Sequence, residues 1–190
     1  MLTLIAGPVE PTTQSLKRAS RTSPRTARLS TIKTMLAAAS VGLISDTHGL
    51  LRPEALVALR GSDLIIHAGD VGTPEIIEQL QAMAPVVAVR GNVDKGDWAS
   101  RLPSTAVAEA GPALIYVLHD IAQLDRDPAA SQFNVVVSGH SHKPGHIEQN
   151  GVIYVNPGSA GPRRFRLPIT VARLDLRSQP WRVDLIDLSE

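Results

Sequence analysis

The chain has 190 residues and a mass of 20.3 kDa, enough for one domain of ordinary size and too little for two. It holds no cysteine, which excludes disulfides, thiolate metal sites and cysteine nucleophiles, and its six aromatic residues argue against base stacking as its main business. The formal net charge is +1, but it averages two unlike pieces.

Residues 1–34 carry Lys17, Arg18, Arg21, Arg25, Arg28 and Lys33 against the single acid Glu10, a net charge of +5. They are rich in Ser and Thr and show no period of 2 or 3.6. The remaining 156 residues hold 13 basic and 17 acidic residues, a net of −4. An acid-poor, Arg- and Ser-rich start has the composition of a transit peptide, of a disordered basic tail, or of a stretch upstream of a true start at Met35. The last is preferred, because Met35 lies six residues before the first apolar run. The expected division is a tail or start-site extension over 1–34 and one domain over 35–190. No apolar run approaches the roughly 18 residues of a membrane span, so the expectation is a soluble, cytoplasmic protein without a clear nucleic-acid surface.

Val41–Ser45 is a β-prone run ending at Asp46. Pro53 to Leu59 has helical spacing, with Leu56, Val57 and Leu59 on one side. Leu64–Ala68 is a second strand, ending at Gly69-Asp70. Thr73 followed by Pro74 and Glu75 is a helix start, and that helix should reach about Ala82. Val86–Arg90 is a third strand, ending at Gly91-Asn92. Strand and helix alternate here as in a parallel βαβ sheet. The second half is rich in strands: Thr105–Glu109, Leu114–Leu118, Val135–Ser138, His146–Gln149, Val152–Val155, Thr170–Leu174 and Val183–Leu188. One short helical stretch falls near Ile121–Leu124.

Each apolar strand runs into a polar tip, commonly beside a glycine. The tips read Asp46-Thr47-His48-Gly49, Gly69-Asp70, Gly91-Asn92, His119 and Gly139-His140-Ser141-His142. Ligands of an open α/β sheet bind beyond the carboxyl ends of its strands, so five tips would converge. Every donor is an oxygen or an imidazole, a set that suits first-row divalent ions better than Mg²⁺ or Ca²⁺. Seven donors exceed the need of one ion and suffice for two that share a carboxylate. Singly, each tip is weak: Asp46 could be a cap and Gly91-Asn92 a turn. The ordered set is the signal.

In order, these motifs (D-x-H, G-D, G-N, H and G-H-x-H) resemble those of the calcineurin-like metallophosphoesterase superfamily, and most closely its small single-domain bacterial and archaeal phosphodiesterase branch. Ile44-Ser45-Asp46-Thr47-His48-Gly49, Gly139-His140-Ser141-His142-Lys143-Pro144 and Asn156-Pro157-Gly158-Ser159 carry the likeness, which runs from about Val41 to the C-terminus. It implies a four-layer αββα sandwich, an α/β fold of two mixed β-sheets flanked by helices. It implies one ion on Asp46, His48, Asp70 and His142 and a second on Asp70, Asn92, His119 and His140, with Asp70 bridging. The cofactors would be two divalent ions, Mn²⁺ first, with Ni²⁺, Fe²⁺, Zn²⁺ or Co²⁺ as alternatives.

The implied activity is phosphodiester hydrolysis by a hydroxide shared between the ions, with Asp70, Asn92 and His119 as catalytic residues and Asn92 as a substrate contact; Arg163 and Arg164, which follow Asn156–Ser159 near the expected site, are candidate phosphate contacts, with Arg163 put first. The substrate would be a small phosphate ester, a nucleotide diester being one candidate. Two departures stand out. Val93 occupies a position where many superfamily members have His, and Asp120 follows His119 where the branch commonly has Gly, ahead of a short segment to Phe133. The competing reading is a catalytically weak protein-binding scaffold of the same fold. His67 is read as a structural residue, Asp94 as a turn residue, and His146 as a residue that is either solvated or stands behind the ligands.

Overall fold

A computed structural model describes residues 30–32, 39–164 and 166–189. Eleven strands form two sheets. They are β1 (Ser30–Ile32), β2 (Ser40–Ile44), β3 (Leu64–His67), β4 (Val86–Ala88), β5 (Thr105–Ala110), β6 (Ala113–Leu118), β7 (Val135–Val137), β8 (Gly145–Gln149), β9 (Val152–Asn156), β10 (Thr170–Asp175) and β11 (Arg182–Asp187). The helices are α1 (Pro53–Leu59), α2 (Pro74–Gln81) and the one-turn α3 (Asp97–Ser100), the last unforeseen from the sequence. Strand β1 lies inside the stretch set apart as a tail and pairs in parallel with β5. The rest of that stretch, and residues 35–38, lie outside the described residues.

The five-stranded sheet has the order β11-β10-β2-β3-β4, and the six-stranded sheet the order β1-β5-β6-β7-β9-β8. Strands β2, β3 and β4 are parallel, whereas β10 and β11 run antiparallel to their neighbours, so the sheet is mixed. The other sheet is mixed too: β5–β6 and β8–β9 are antiparallel hairpins, while β6, β7 and β9 are parallel.

The continuous apolar runs of β2 and β3 follow from burial on both faces. Val41, Leu43, Leu64 and Ile66 face Ala106, Ala108, Ile115, Val117, Val135 and Val137 in the core between the sheets. On the reverse face, Ile44 and Ile65 pack with Ala55 and Leu59 of α1 and Ile76 and Leu80 of α2. Each fully buried aliphatic side chain of this kind stabilises by about 1.5–3 kcal/mol. Helix α1 can approach closely because β2 offers Gly42, where a Cβ would stand 2.7 Å from the Leu59 side chain.

The outer face of the six-stranded sheet is covered more thinly. Tyr116, Leu118, Val136 and Val152 pack against Phe133 and Leu124, which belong to the segment after β6. That segment contains a single 3-10 turn, Ile121–Gln123. Both sheets direct several strand ends to one edge of the sandwich, and the polar tips meet there.

Candidate metal centre

The loop after β2 enters the site first. Ser45, Asp46 and Thr47 are buried. Asp46 has φ 54° and His48 φ 47°, both left-handed. Asp70 (φ 53°), His140 (φ 66°) and His142 (φ 57°) share this conformation. Only seven non-glycine residues adopt it among the described residues, and five are candidate ligands. Left-handed backbone is unfavourable for a residue with a Cβ, and such strain gathers at functional sites. The surrounding hydrogen bonds hold it. Asp46 N–H donates to the Gly69 carbonyl (3.0 Å), His48 N–H to Asp70 O (2.9 Å) and Gly49 N–H to Val71 O (2.8 Å).

Side chains converge from both sheets. His48 Nε2 and His142 Nε2 lie 3.3 Å apart. Asp46 Oδ1 stands 3.2 Å from His142 Nε2 and 4.0 Å from His48 Nε2. Asp70 Oδ2 is 3.4 Å from His119 Nε2 and 3.9 Å from His48 Nε2, between the two expected ligand sets. Asn92 Oδ1 is 3.1 Å from His119 Nε2 and 3.1 Å from His140 Nδ1. All seven sequence-derived ligand candidates are therefore brought together. Ligand atoms of Asp46, His48 and His142 lie within 4.8 Å of one another, and so do those of Asp46, Asp70 and His119. Asp46 belongs to both groups.

The donors fit divalent ions. Asp46 Oδ1 is buried and accepts no hydrogen bond, although His142 Nε2 stands 3.2 Å away. A buried, unpartnered carboxylate oxygen facing imidazole nitrogens costs free energy that a cation would recover. Burial pushes the Asp46 carboxyl up, against the Ser45 hydroxyl, which lowers it. Burial also acts to raise Asp70, but hydrogen bonds from His119 and the Val93 N–H outweigh it and hold that carboxyl below its ordinary value. The partner shift agrees: burial would lower His119, but Asp70 and the Ala68 carbonyl raise it. His48 and His142 are pushed down by burial, aided by the Arg164 guanidinium. Neutral imidazoles are the form that binds metal.

A second set of contacts fixes these groups. Ser45 Oγ lies 2.6 Å from Asp46 Oδ2 and 2.8 Å from the Gly158 carbonyl, and Ser159 Oγ donates to the Asp46 carbonyl at 3.0 Å. Asn156 Nδ2 donates to the Gly139 carbonyl at 2.7 Å and supports the His140 loop. Thr47 Oγ1 donates to Val71 O, so it accepts from His67 Nε2 at 2.9 Å. His67 is thus the structural residue expected, fully buried behind the first loop. Asp94 does more than make a turn. Its carboxylate oxygens accept from Gly72 N–H and Gly91 N–H, both at 2.8 Å, and tie two strand-end loops together. His146 stands exposed on the edge strand β8.

Arg163, expected as a substrate contact, donates from Nη2 to Ser189 Oγ at 3.0 Å, just past the end of β11. The cation that acts on His48 and His142 is its neighbour Arg164.

A cavity of about 520 Å³ adjoins the site on the Asn92, His119 and His140 side. The segment after His119, singled out for its departure from the family pattern, supplies its rim through Asp120, Gln123, Asp125 and Arg126.

Residues 40–179 match the family model of the calcineurin-like phosphoesterase superfamily domain. A protein of Methanothermobacter thermautotrophicus named as a probable metallophosphoesterase is 34% identical over 148 residues, covering 71% of this chain and 86% of that one. Among solved structures, a predicted phosphoesterase from Streptococcus pneumoniae TIGR4 superposes with a TM-score of 0.64 at 24% identity, covering 82% of this chain and 92% of that one. Vps29 of Chaetomium thermophilum superposes with a TM-score of 0.63 at 18% identity, covering 78% and 97%. At these identities the two structures share the fold.

Proposed function

The chain belongs to the calcineurin-like phosphoesterase superfamily, and from that membership we propose that it is a binuclear metal-dependent phosphodiesterase. The observation that carries this reading is the meeting of seven oxygen and imidazole donors around Asp46 and Asp70. Asp46, His48, Asp70 and His142 would hold one divalent ion, and Asp70, Asn92, His119 and His140 the other, with Mn²⁺ the first candidate. Bound there, such ions supply positive charge for phosphate oxygens and a water acidified toward a pKa of about 7.

The chain's own residues do the rest. Asp70, held ionised by His119 and the Val93 N–H, keeps its charge at the centre of the site. The Asn92 amide is fixed between His119 and His140 at the solvent-facing edge, where a phosphate oxygen can reach it. The Arg164 cation adds to the lowering of His48 and His142. Val93 is exposed and has no proton to give. Without a side-chain acid at that position, esters whose alcohol departs unaided are favoured, which points to diesters and aryl esters. A scaffold would need the fold alone, not seven competent donors in register.

The test is hydrolysis of bis(p-nitrophenyl) phosphate and p-nitrophenyl phosphate by the full chain, with Mn²⁺, after chelation, and in Asp70→Asn. Diester turnover that requires metal, exceeds monoester turnover and falls more than about 100-fold in Asp70→Asn is expected. Metal-loaded, folded protein that cleaves neither ester would overturn the reading.

A further inference from the structure

Arg126, on the rim of the cavity beside the site, is held from several sides. Arg126 Nε and Nη2 contact Asp125 Oδ1 and Oδ2 at 2.8 and 3.3 Å. The same guanidinium lies over the Tyr116 ring, 5.1 Å from its centroid. Tyr116 in turn stacks on Phe133, with centroids 4.9 Å apart and planes 25° apart. Two rings and an aspartate thus hold Arg126 in place as a planar platform whose charge is already paired.

Charge within the cavity is mostly spoken for. Both Asp94 oxygens are taken by backbone N–H groups. Asp120 Oδ1 accepts from Ala122 N–H. Three hydrogen-bonding side chains, Arg90, Ser104 and Gln123, line the cavity and have no hydrogen-bond or ion-pair partner among the described residues. At about 520 Å³ the space falls in the range of small-molecule sites. One wall is Asn92, His119 and His140, so an ester whose phosphate sits on the metal centre would place one of its organic groups here.

We propose that this group is a planar heteroaromatic ring of the nucleobase kind, lying on the Arg126 guanidinium with its edge read by Arg90, Ser104 and Gln123. The proposal rests on the phosphodiesterase reading and adds a substrate class to it. Arginine planes stack on bases as aromatic rings do, so a chain with few aromatic residues can still bind a base. Lysine keeps the charge but offers no plane, which makes Arg126→Lys the discriminating variant.

Two esters with the same leaving group decide it: the p-nitrophenyl ester of thymidine monophosphate and methyl p-nitrophenyl phosphate, assayed with Mn²⁺-loaded full-length protein. A second readout, free of turnover, is calorimetric binding of thymidine monophosphate against inorganic phosphate. The nucleotide ester should have the higher kcat/KM by about tenfold or more, and Arg126→Lys should remove most of that ratio. Gln123→Ala and Arg90→Ala, at exposed positions, should each reduce it and serve if Arg126→Lys fails to fold. Both esters cleaved with a ratio near one, or with a ratio that no variant moves, would overturn the base pocket and leave the phosphodiesterase standing. Thymidine monophosphate held more tightly than phosphate in an Arg126-dependent way, without cleavage of either ester, would keep the pocket and remove the phosphodiesterase. Neither binding nor cleavage would remove both.

Discussion

The backbone N–H of His140 donates to Asp46 Oδ2 at 3.1 Å, joining residues 94 positions apart in the chain. His140 follows β7 in the six-stranded sheet and Asp46 follows β2 in the five-stranded one. One hydrogen bond therefore sets the two halves of the ligand set against each other at the open end of the sandwich.

Asp46→Asn keeps the shape and an acceptor for that N–H while removing a buried charge. Burial disfavours the Asp46 carboxylate when no cation is present, so the metal-free variant should be at least as stable as the parent. Mn²⁺ binding should weaken by more than about 100-fold. Thermal melts with and without Mn²⁺ test both parts, and a variant that binds Mn²⁺ like the parent would remove Asp46 from the ligand set.

Asp94→Asn should be nearly as harmful as Asp94→Ala. The two oxygens accept from two N–H groups, and a carboxamide must point its own N–H₂ at one of them. Charge-assisted bonds of this kind contribute about 1.5–3 kcal/mol each, so either variant should lose several kcal/mol in urea unfolding. Because Gly72 and Gly91 flank Asp70 and Asn92, Mn²⁺ affinity should fall as well.

Gly91→Ala would drive a Cβ into the Asp70 carboxylate and the Asp70 backbone nitrogen. A fixed backbone cannot yield as a flexible side chain would. Overpacking at this level costs about 1–3 kcal/mol. The added stability conferred by Mn²⁺ should also shrink, since Asp70 must move. A midpoint of unfolding equal to the parent's would show that the loop gives way freely.

His67 makes metal-free stability depend on pH. Burial lowers it from an ordinary 6.5 to about 4, with the nearby Asp94 opposing. Between those values the unfolded chain holds a proton that the folded one lacks, so stability is full above pH 6.5 and is lost as pH falls toward 4. The loss by pH 4 should reach about 3 kcal/mol. Asp46, which is raised, contributes with the opposite sign, so the comparison is with His67→Gln, which can still donate to Thr47. The variant should show a flatter urea midpoint between pH 7 and pH 5, and a parallel decline would rule His67 out as the cause.

The strand-end motifs were legible in the sequence because polar groups at strand ends come as short local words. Asp46-Thr47-His48 and Gly139-His140-Ser141-His142 need only their own turns to be recognised, and apolar runs such as Val41–Ile44 and Leu64–His67 announce strands buried on both faces. Their order along the chain pointed to the family and to a two-sheet sandwich. What stayed hidden depends on contacts between distant segments. No local pattern shows that Arg163 turns to Ser189 or that Asp94 clamps two loops. Nor does any pattern show that Tyr116 of β6 and Arg126 and Phe133 of the segment after it form one platform. The residue types and their spacing determined which chemistry the chain could hold. The packing of one sheet on the other decided which side chains share a centre, because hydrogen bonds and burial between remote strands choose rotamers and loop directions that sequence neighbours leave open.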